Sequence, residues 1–147
     1  MKKNDPPVTV EETFNATIKD VWEAITNIEL MRKWYFDNIP SFIPEVGFEI
    51  QFNVTNEGRN FLHIWKITEV VPEKIIAYSW NYKEYPGEGL VVFDLSEQNG
   101  LTKLKLTNEI IESFPDDLPE FKRESCIAGW EYFIKGNLKN LLDTYNE

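Results

Sequence analysis

One face near the end of the chain is apolar at helical spacing, and this feature limits the fold more than any other. The stripe consists of Ile127, Trp130, Ile134, Leu138, Leu141 and Tyr145. It extends over about 24 residues, which corresponds to roughly 36 Å of helix. Such a helix has to bury its apolar face, and one face of a β-sheet is the partner large enough to cover it. We therefore expect a long C-terminal helix that lies across the concave face of a sheet.

The strands of this sheet are predicted by apolar residues that alternate with polar ones. Phe48, Ile50 and Phe52 are each followed by a polar residue, which is the period expected of a half-buried strand. Asn99-Gly100 tolerates positive φ at both positions and is the strongest hairpin signal in the chain. We expect about six or seven antiparallel strands, which include residues 8–15, 47–53, 61–71, 74–82, 90–95 and 101–111.

Two short helices are predicted between the first strand and Pro40. Thr17 is placed to cap the first of them. Its apolar positions follow at i, i+3, i+4 and i+7: Ile18, Val21, Trp22 and Ile25. The second helix lies near residues 29–35. These elements predict the α+β class, and a length of 147 residues favours a single domain over residues 1–147.

The charge of the chain argues against nucleic acids and anionic membranes as partners. With 25 acidic and 15 basic side chains, the formal net charge is -10. The average surface therefore repels phosphate groups. No segment approaches the roughly 20 apolar residues of a membrane span. We expect no nucleic-acid partner and no membrane insertion.

The single cysteine and the first residues predict a cytoplasmic protein. Cys126 is the only cysteine, so the chain forms no intrachain disulfide and fits a reducing compartment. Residues 1–7 contain two lysines but no apolar stretch after them, unlike a signal peptide.

Titratable side chains give no catalytic or metal-binding signature. His63 is the one side chain whose ordinary pKa lies near neutrality, and it is either a structural hydrogen-bonding residue or a donor or base within a cavity. One histidine and one cysteine without a carboxylate pair do not make a zinc site. The sequence contains no Gly-rich phosphate loop and no nucleophile elbow. We therefore predict no metal, no cofactor and no catalytic residue.

Several residues on the inner face are typical either of core packing or of a ligand pocket. Tyr78, Trp80 and Tyr82 share one strand face, and they combine large apolar area with polar tips. Asn108 shares a face with apolar residues, and a buried amide without a partner costs about 1 to 3 kcal/mol, so we expect it to contact a neighbour, a water or a ligand. Gly129 and Gly136 lie within the predicted helix and leave room either for a strand or for a ligand.

Several short motifs resemble a known family. They are Val21-Trp22-Glu23-Ala24-Ile25-Thr26, Arg32-Lys33-Trp34, Ile67-Thr68-Glu69-Val70-Val71-Pro72, Tyr78-Ser79-Trp80 and Gly129-Trp130. These motifs and the order of the elements resemble homologues of the C-terminal domain of the heat-shock protein 90 ATPase activator, within the START-like, or SRPBCC, superfamily. The resemblance implies the helix-grip fold, which birch-pollen-allergen-like proteins share, and a cavity between sheet and long helix that often accepts small apolar molecules.

Three functions follow as hypotheses. The first is binding of a small hydrophobic or amphipathic ligand in a cavity lined by Trp34, His63, Trp65, Tyr78, Trp80, Phe93, Asn108, Trp130 and Phe133. The second is a protein-interaction module related to chaperone ATPase activators, whose acidic surface would contact a basic partner. The third is a cyclase-like or hydrolase-like enzyme with His63 or a buried carboxylate as general base.

Overall fold

The computed structural model describes residues 1–146 and contains one six-stranded antiparallel sheet. The strands are β1 (Val8–Phe14), β2 (Glu49–Asn56), β3 (Arg59–Val71), β4 (Ile75–Tyr82), β5 (Glu88–Gln98) and β6 (Leu101–Glu112). Their order in the sheet is β1-β6-β5-β4-β3-β2, so every neighbouring pair except β1 and β6 is joined by a hairpin. Register shifts near Ile67 in β3 and Gly89 in β5 mark bulges, which bend a sheet and increase its twist.

Two short helices connect β1 to β2. They are α1 (Ile18–Thr26) and α2 (Ile28–Trp34). Thr17 caps α1 as predicted, since its hydroxyl accepts a hydrogen bond from the backbone N–H of Asp20 at 3.1 Å. Asn27 ends α1 and caps α2 in the same way, which explains why two helices follow each other without a loop.

The C-terminal helix begins as α3 (Arg123–Glu131), continues through a π-helical segment (Tyr132–Leu138) and ends as α4 (Lys139–Asp143). Its buried stripe consists of Trp130, Ile134, Leu138 and Leu142. The sequence predicted Leu141 and Tyr145 at the end of this stripe, but Leu141 is half-buried and Tyr145 is exposed. A π-helix has more than four residues per turn, so positions four apart stay on one face and the stripe continues to Leu142.

The C-terminal helix lies against the inner face of the sheet, as its apolar stripe predicted. Ile134 and Leu138 are buried in one cluster with Val10 of β1 and Leu104 of β6. Asn137 Nδ2 also donates a hydrogen bond to the carbonyl oxygen of Trp34 at 3.2 Å, which fastens the helix to α2. The main core therefore fills the space between sheet, C-terminal helix and α1–α2.

A second, smaller apolar cluster lies at one end of the sheet. Its buried members are Phe61, Ile110, Phe114 and Phe121. Phe114 and Phe121 belong to the segment between β6 and α3, which folds back over the strands and includes a short 3-10 helix (Pro119–Phe121). Phe114 packs on Gly87, where the Cβ of any other residue would overlap its ring. This cluster closes the end of the sheet at which the candidate site lies.

Candidate functional site

A cavity of about 200 Å³ lies between the sheet, α3 and the segment that precedes α3. Its lining consists of Met1, Phe36, His63, Trp80, Tyr82, Gly89, Asn108, Phe114, Glu120, Phe121, Ser125, Cys126, Gly129, Trp130 and Phe133. Ser125 is exposed, so the cavity reaches the protein surface on the side of α3. The remaining walls come from the inner face of β3–β6 and from the second apolar cluster.

Five of the nine residues predicted to line a cavity do so. They are His63, Trp80, Asn108, Trp130 and Phe133. The strand period placed the first three on the inner face, and the helical period placed Trp130 on the face of α3 that opposes them. The sequence therefore locates one side of the cavity correctly.

The other four predicted residues, Trp34, Trp65, Tyr78 and Phe93, lie in the solid core and outside this lining. The reason is Tyr35, which sequence reasoning did not single out. Its ring stacks on Trp34 at a centroid distance of 4.4 Å and lies 5.1 Å from Trp65. Tyr35 therefore fills the middle of the space between sheet and helix and confines the cavity to one end.

Aromatic rings form most of the cavity wall and contact one another edge to face. Trp80 and Trp130 lie 5.7 Å apart at an interplanar angle of 71°, and Phe36 and Phe133 lie 5.1 Å apart at 65°. Edge-to-face contacts are a favoured geometry for pairs of aromatic rings. The wall is therefore a largely apolar surface of rings that pack on one another.

Phe121 and Glu120 are lining residues that the sequence did not indicate, and both come from the segment between β6 and α3. This segment is rich in proline and aspartate, a composition typical of a connection, and no periodicity shows which of its side chains turn inward. Tyr82 shares its strand face with Trp80, as the strand period predicted, and it belongs to the lining although it is not one of the nine predicted lining residues. No sequence signal identifies Glu120.

His63 lies on the inner face of β3 and is 5% exposed. Its Nδ1 lies 2.9 Å from the carbonyl oxygen of Phe61. Because a carbonyl oxygen only accepts, Nδ1 carries the proton and Nε2 is left as an acceptor. Burial lowers the pKa of His63 to about 4, against the opposing effect of this hydrogen bond. The imidazole is therefore neutral at pH 7 and a weak general base.

Asn108 brings an amide group into the cavity wall. Its Nδ2 donates a weak hydrogen bond to Sγ of Cys126 at 3.5 Å, whereas its Oδ1 is buried without a partner within the described part of the chain. Gly89 on the neighbouring strand lies close to Oδ1, since a Cβ there would come within 3.1 Å of this oxygen. Burial raises the pKa of the Cys126 thiol to about 11, so Cys126 remains a protonated, unreactive thiol.

Glu120 lines the cavity, and two residues outside the lining donate hydrogen bonds to its carboxylate. Oε2 accepts hydrogen bonds from Nε and Nη2 of Arg59, at 2.9 and 2.6 Å, and from Nδ2 of Asn56 at 2.9 Å. Oε1 is buried and has no partner among the described residues. Burial opposes ionisation, but these hydrogen bonds outweigh it and lower the pKa of Glu120. Glu120 is therefore an anion at pH 7 with one oxygen unused.

The two glycines of the C-terminal helix are not explained by close packing on a strand. A Cβ at Gly129 or at Gly136 would meet no other atom within 4 Å. The expectation of a close approach is therefore wrong at both positions. Gly129 lines the cavity, so the space beside it belongs to the candidate site.

The ionisable side chains of the lining include His63 and Cys126, and burial shifts the pKa of each. Within residues 1–146, no three His, Cys, Asp or Glu side chains come together so that they could hold a metal ion. The thiol of Cys126 is protonated, and His63 is a poor base.

No helix in the part of the chain that the structure describes is long and apolar enough to cross a membrane.

Comparison with known proteins places the chain in a family. The sequence profile of the family described as "Activator of Hsp90 ATPase homolog 1-like protein" matches residues 15–143, which is most of the chain. The chain belongs to this family. The resemblance inferred from the short motifs is thereby confirmed for the Hsp90 ATPase activator homologues.

A curated relative agrees with the family assignment. The chain is 26% identical over 136 residues to the "Activator of 90 kDa heat shock protein ATPase homolog 1" of Mus musculus, which covers 88% of this chain. The chain spans only about a third, 35%, of the length of that relative. The activity and partners of the whole mouse protein therefore cannot simply be transferred.

The fold is shared with proteins of low sequence identity. A protein from Chromobacterium violaceum superposes with a TM-score of 0.77 at 19% identity, over 92% of this chain and 96% of that one. The Aha1 dimer from Colwellia psychrerythraea, solved in solution, superposes with a TM-score of 0.72 at 21% identity, over 94% and 96% of the two chains. These matches confirm the helix-grip fold that the sequence predicted.

Proposed function

We propose that this member of the Hsp90 ATPase activator homologue family binds a small, largely apolar ligand in the cavity between the sheet and α3. The observation that carries the proposal is a cavity with a mostly aromatic wall, two of whose residues, Asn108 and Glu120, each have a buried oxygen without a partner among the described residues. A buried polar atom without a partner is unfavourable by about 1 to 3 kcal/mol, and a ligand that hydrogen-bonds to it removes this cost. Mostly apolar walls with a few placed polar groups are typical of ligand sites.

The size of the cavity limits the ligand. About 200 Å³ exceeds the roughly 150 Å³ of an engineered cavity that binds benzene, and it is below the roughly 300 to 1,000 Å³ of pockets for drug-sized molecules. A molecule with one or two rings, or a short alkyl chain, would fill it. The four predicted residues that lie in the solid core would not touch this ligand.

Gly129 and Gly136 provide a matched pair of variants for the test. Both lie within the C-terminal helix and both have open space where a Cβ would stand, but only Gly129 lines the cavity. We expect that Gly129→Leu fills the cavity and abolishes ligand binding, whereas Gly136→Leu leaves it intact.

The measurement is native mass spectrometry of the wild-type protein and both variants, purified from the natural host, followed by solvent extraction. The proposal predicts one small molecule on the wild type and on Gly136→Leu and none on Gly129→Leu. A wild-type protein that carries nothing and also binds no small aromatic probe would contradict it.

A second candidate function is a protein-interaction module for a chaperone ATPase, and the family match favours it. The net charge of -10 would attract a basic patch on such a partner, so binding would weaken as salt screens it. A pull-down with an Hsp90-type ATPase at 20 and 300 mM salt tests this candidate. Retention at low salt that is lost at high salt would support it, and no retention at either would remove it.

A further inference from the structure

We infer that the cavity selects ligands that donate hydrogen bonds, namely small aromatic molecules with an N–H or O–H group on the ring. This inference rests on the proposed binding function and names the chemical class of its ligand. It follows from the unused polar atoms of Glu120, Asn108 and His63, which are hydrogen-bond acceptors.

Glu120 gives the clearest indication. All three hydrogen bonds from Arg59 and Asn56 reach the same oxygen, Oε2, and the second oxygen, Oε1, has no partner among residues 1–146. A carboxylate is an acceptor at both oxygens when it is ionised. Oε1 can therefore be satisfied only by a donor, and a hydrogen bond to a charged group is stronger than one between neutral groups.

Asn108 and His63 also have an acceptor atom that makes no hydrogen bond to another described residue. The amide of Asn108 donates from Nδ2 to Sγ of Cys126, and its Oδ1 has no partner in the part of the chain that the structure describes. His63 uses its proton on the carbonyl oxygen of Phe61, which leaves Nε2 as an acceptor. The ammonium group of Met1 is a donor, but it already donates to the carbonyl oxygen of Phe121 at 2.9 Å. Glu120 Oε1, Asn108 Oδ1 and His63 Nε2 are thus the unused atoms that favour a donor on the ligand.

The aromatic rings of the cavity wall indicate the apolar part of the ligand. Trp80, Tyr82, Phe121 and Trp130 present aromatic faces and edges to the cavity, which favour an aromatic partner over a flexible alkyl chain. The small volume excludes a molecule with three or more fused rings. An indole-like or phenol-like ring satisfies the size, the aromatic wall and the unpaired acceptors together.

The first test uses the wild-type protein and two probes of the same shape. Indole has a ring N–H, and benzofuran has an oxygen at that position and no donor. Titration calorimetry is expected to give a dissociation constant for indole at least about tenfold below that for benzofuran. Equal affinities would overturn this inference while supporting the proposed function, and no binding of either probe would overturn both.

The second test assigns the preference to Glu120. In Glu120→Gln the side-chain oxygen has to take the place of Oε2, because Arg59 and Asn56 both donate there, so the new NH₂ group replaces the acceptor Oε1 with a donor. We expect the preference for indole over benzofuran to fall below about threefold. A preference that stays at tenfold in this variant would overturn the assignment.

Glu57→Gln is the matched control for this second test. Glu57 also approaches Arg59, at 3.7 Å, but its side chain is 77% exposed and does not line the cavity. The control removes the same charge beside the same arginine, and we expect it to keep the wild-type preference for indole. Loss of the preference in Glu57→Gln would show that net charge, and not the Oε1 acceptor, causes it.

Discussion

The hydroxyl oxygens of Tyr35 and Tyr78 lie 2.8 Å apart in the buried core. This hydrogen bond joins the segment after α2 to the central strand β4. Burial raises the pKa of both tyrosines, so both hydroxyls stay protonated at neutral pH. Because Tyr35 fills the middle of the space between sheet and helix, this contact also separates the solid core from the cavity.

The substitution Tyr35→Phe is expected to destabilise the protein without changing its cavity. It removes the hydroxyl partner of Tyr78 and leaves a buried polar group unpaired, which costs about 1 to 3 kcal/mol. Urea unfolding of Tyr35→Phe measures this loss, and Tyr132→Phe on the surface serves as the control. If the free energy of unfolding of Tyr35→Phe equals that of the wild type, the buried hydrogen bond is absent.

A lowered pKa of His63 makes stability depend on pH. The pKa of His63 falls from its ordinary 6.5 to about 4 in the folded state because of burial. Between these two values the unfolded state binds more protons than the folded state. The stabilisation from neutral His63 is therefore complete above about pH 6.5 and is lost as the pH falls towards 4.

Neutral His63 is expected to make the free energy of unfolding fall by up to about 1.4 kcal/mol per pH unit as the pH is lowered. This contribution is absent in His63→Asn. Urea unfolding of both proteins between pH 7 and 4 measures it, and the difference between them cancels the contribution of carboxylates. Since the chain has one histidine, NMR titration of its ring also reports the pKa directly. A ring that titrates near 6.5 would contradict burial of His63.

The register of the C-terminal helix is tested by two adjacent leucines. Leu142 is 1% exposed and packs in the main core, whereas Leu141 is only half-buried. We expect Leu142→Ala to lower the free energy of unfolding by about 2 to 5 kcal/mol. Leu141→Ala should cost clearly less. The reverse order would mean that an uninterrupted α-helical period, and not the π-helical segment, sets the buried face.

The substitution Gly136→Ala is expected to stabilise the folded protein. A Cβ there meets nothing within 4 Å, and glycine inside a helix is about 1 kcal/mol less favourable than alanine. We therefore expect Gly136→Ala to raise the free energy of unfolding by about this amount in thermal or urea unfolding. A loss of stability would indicate that the backbone at Gly136 needs the freedom of glycine.

The fold was predictable from the sequence because its main elements are regular. Alternation along β3 and β4 placed His63 and Trp80 on the inner face, and the helical stripe placed Trp130 opposite them. The end of that stripe was wrong because a π-helical segment changes the number of residues per turn, and no periodicity in the sequence signals this change.

The cavity was only half predictable, since its other half comes from irregular segments. Tyr35 follows the end of α2, and Glu120 lies in a connection between strand and helix. The direction of such side chains depends on contacts with distant residues, as the hydrogen bonds from Arg59 to Glu120 illustrate. Period-based reasoning therefore extended the predicted cavity lining into the core, to Trp65 and Tyr78, which lie outside the lining of the cavity.

The proposed function requires that a small aromatic molecule binds in the cavity between the sheet and α3. A crystal of the protein soaked with 4-bromophenol is the test, because the anomalous signal of bromine locates the probe. One bromine peak is expected within the cavity, beside Trp80, Phe121 and Trp130. A cavity that stays empty, or a peak found only on the outer surface of the protein, would contradict it.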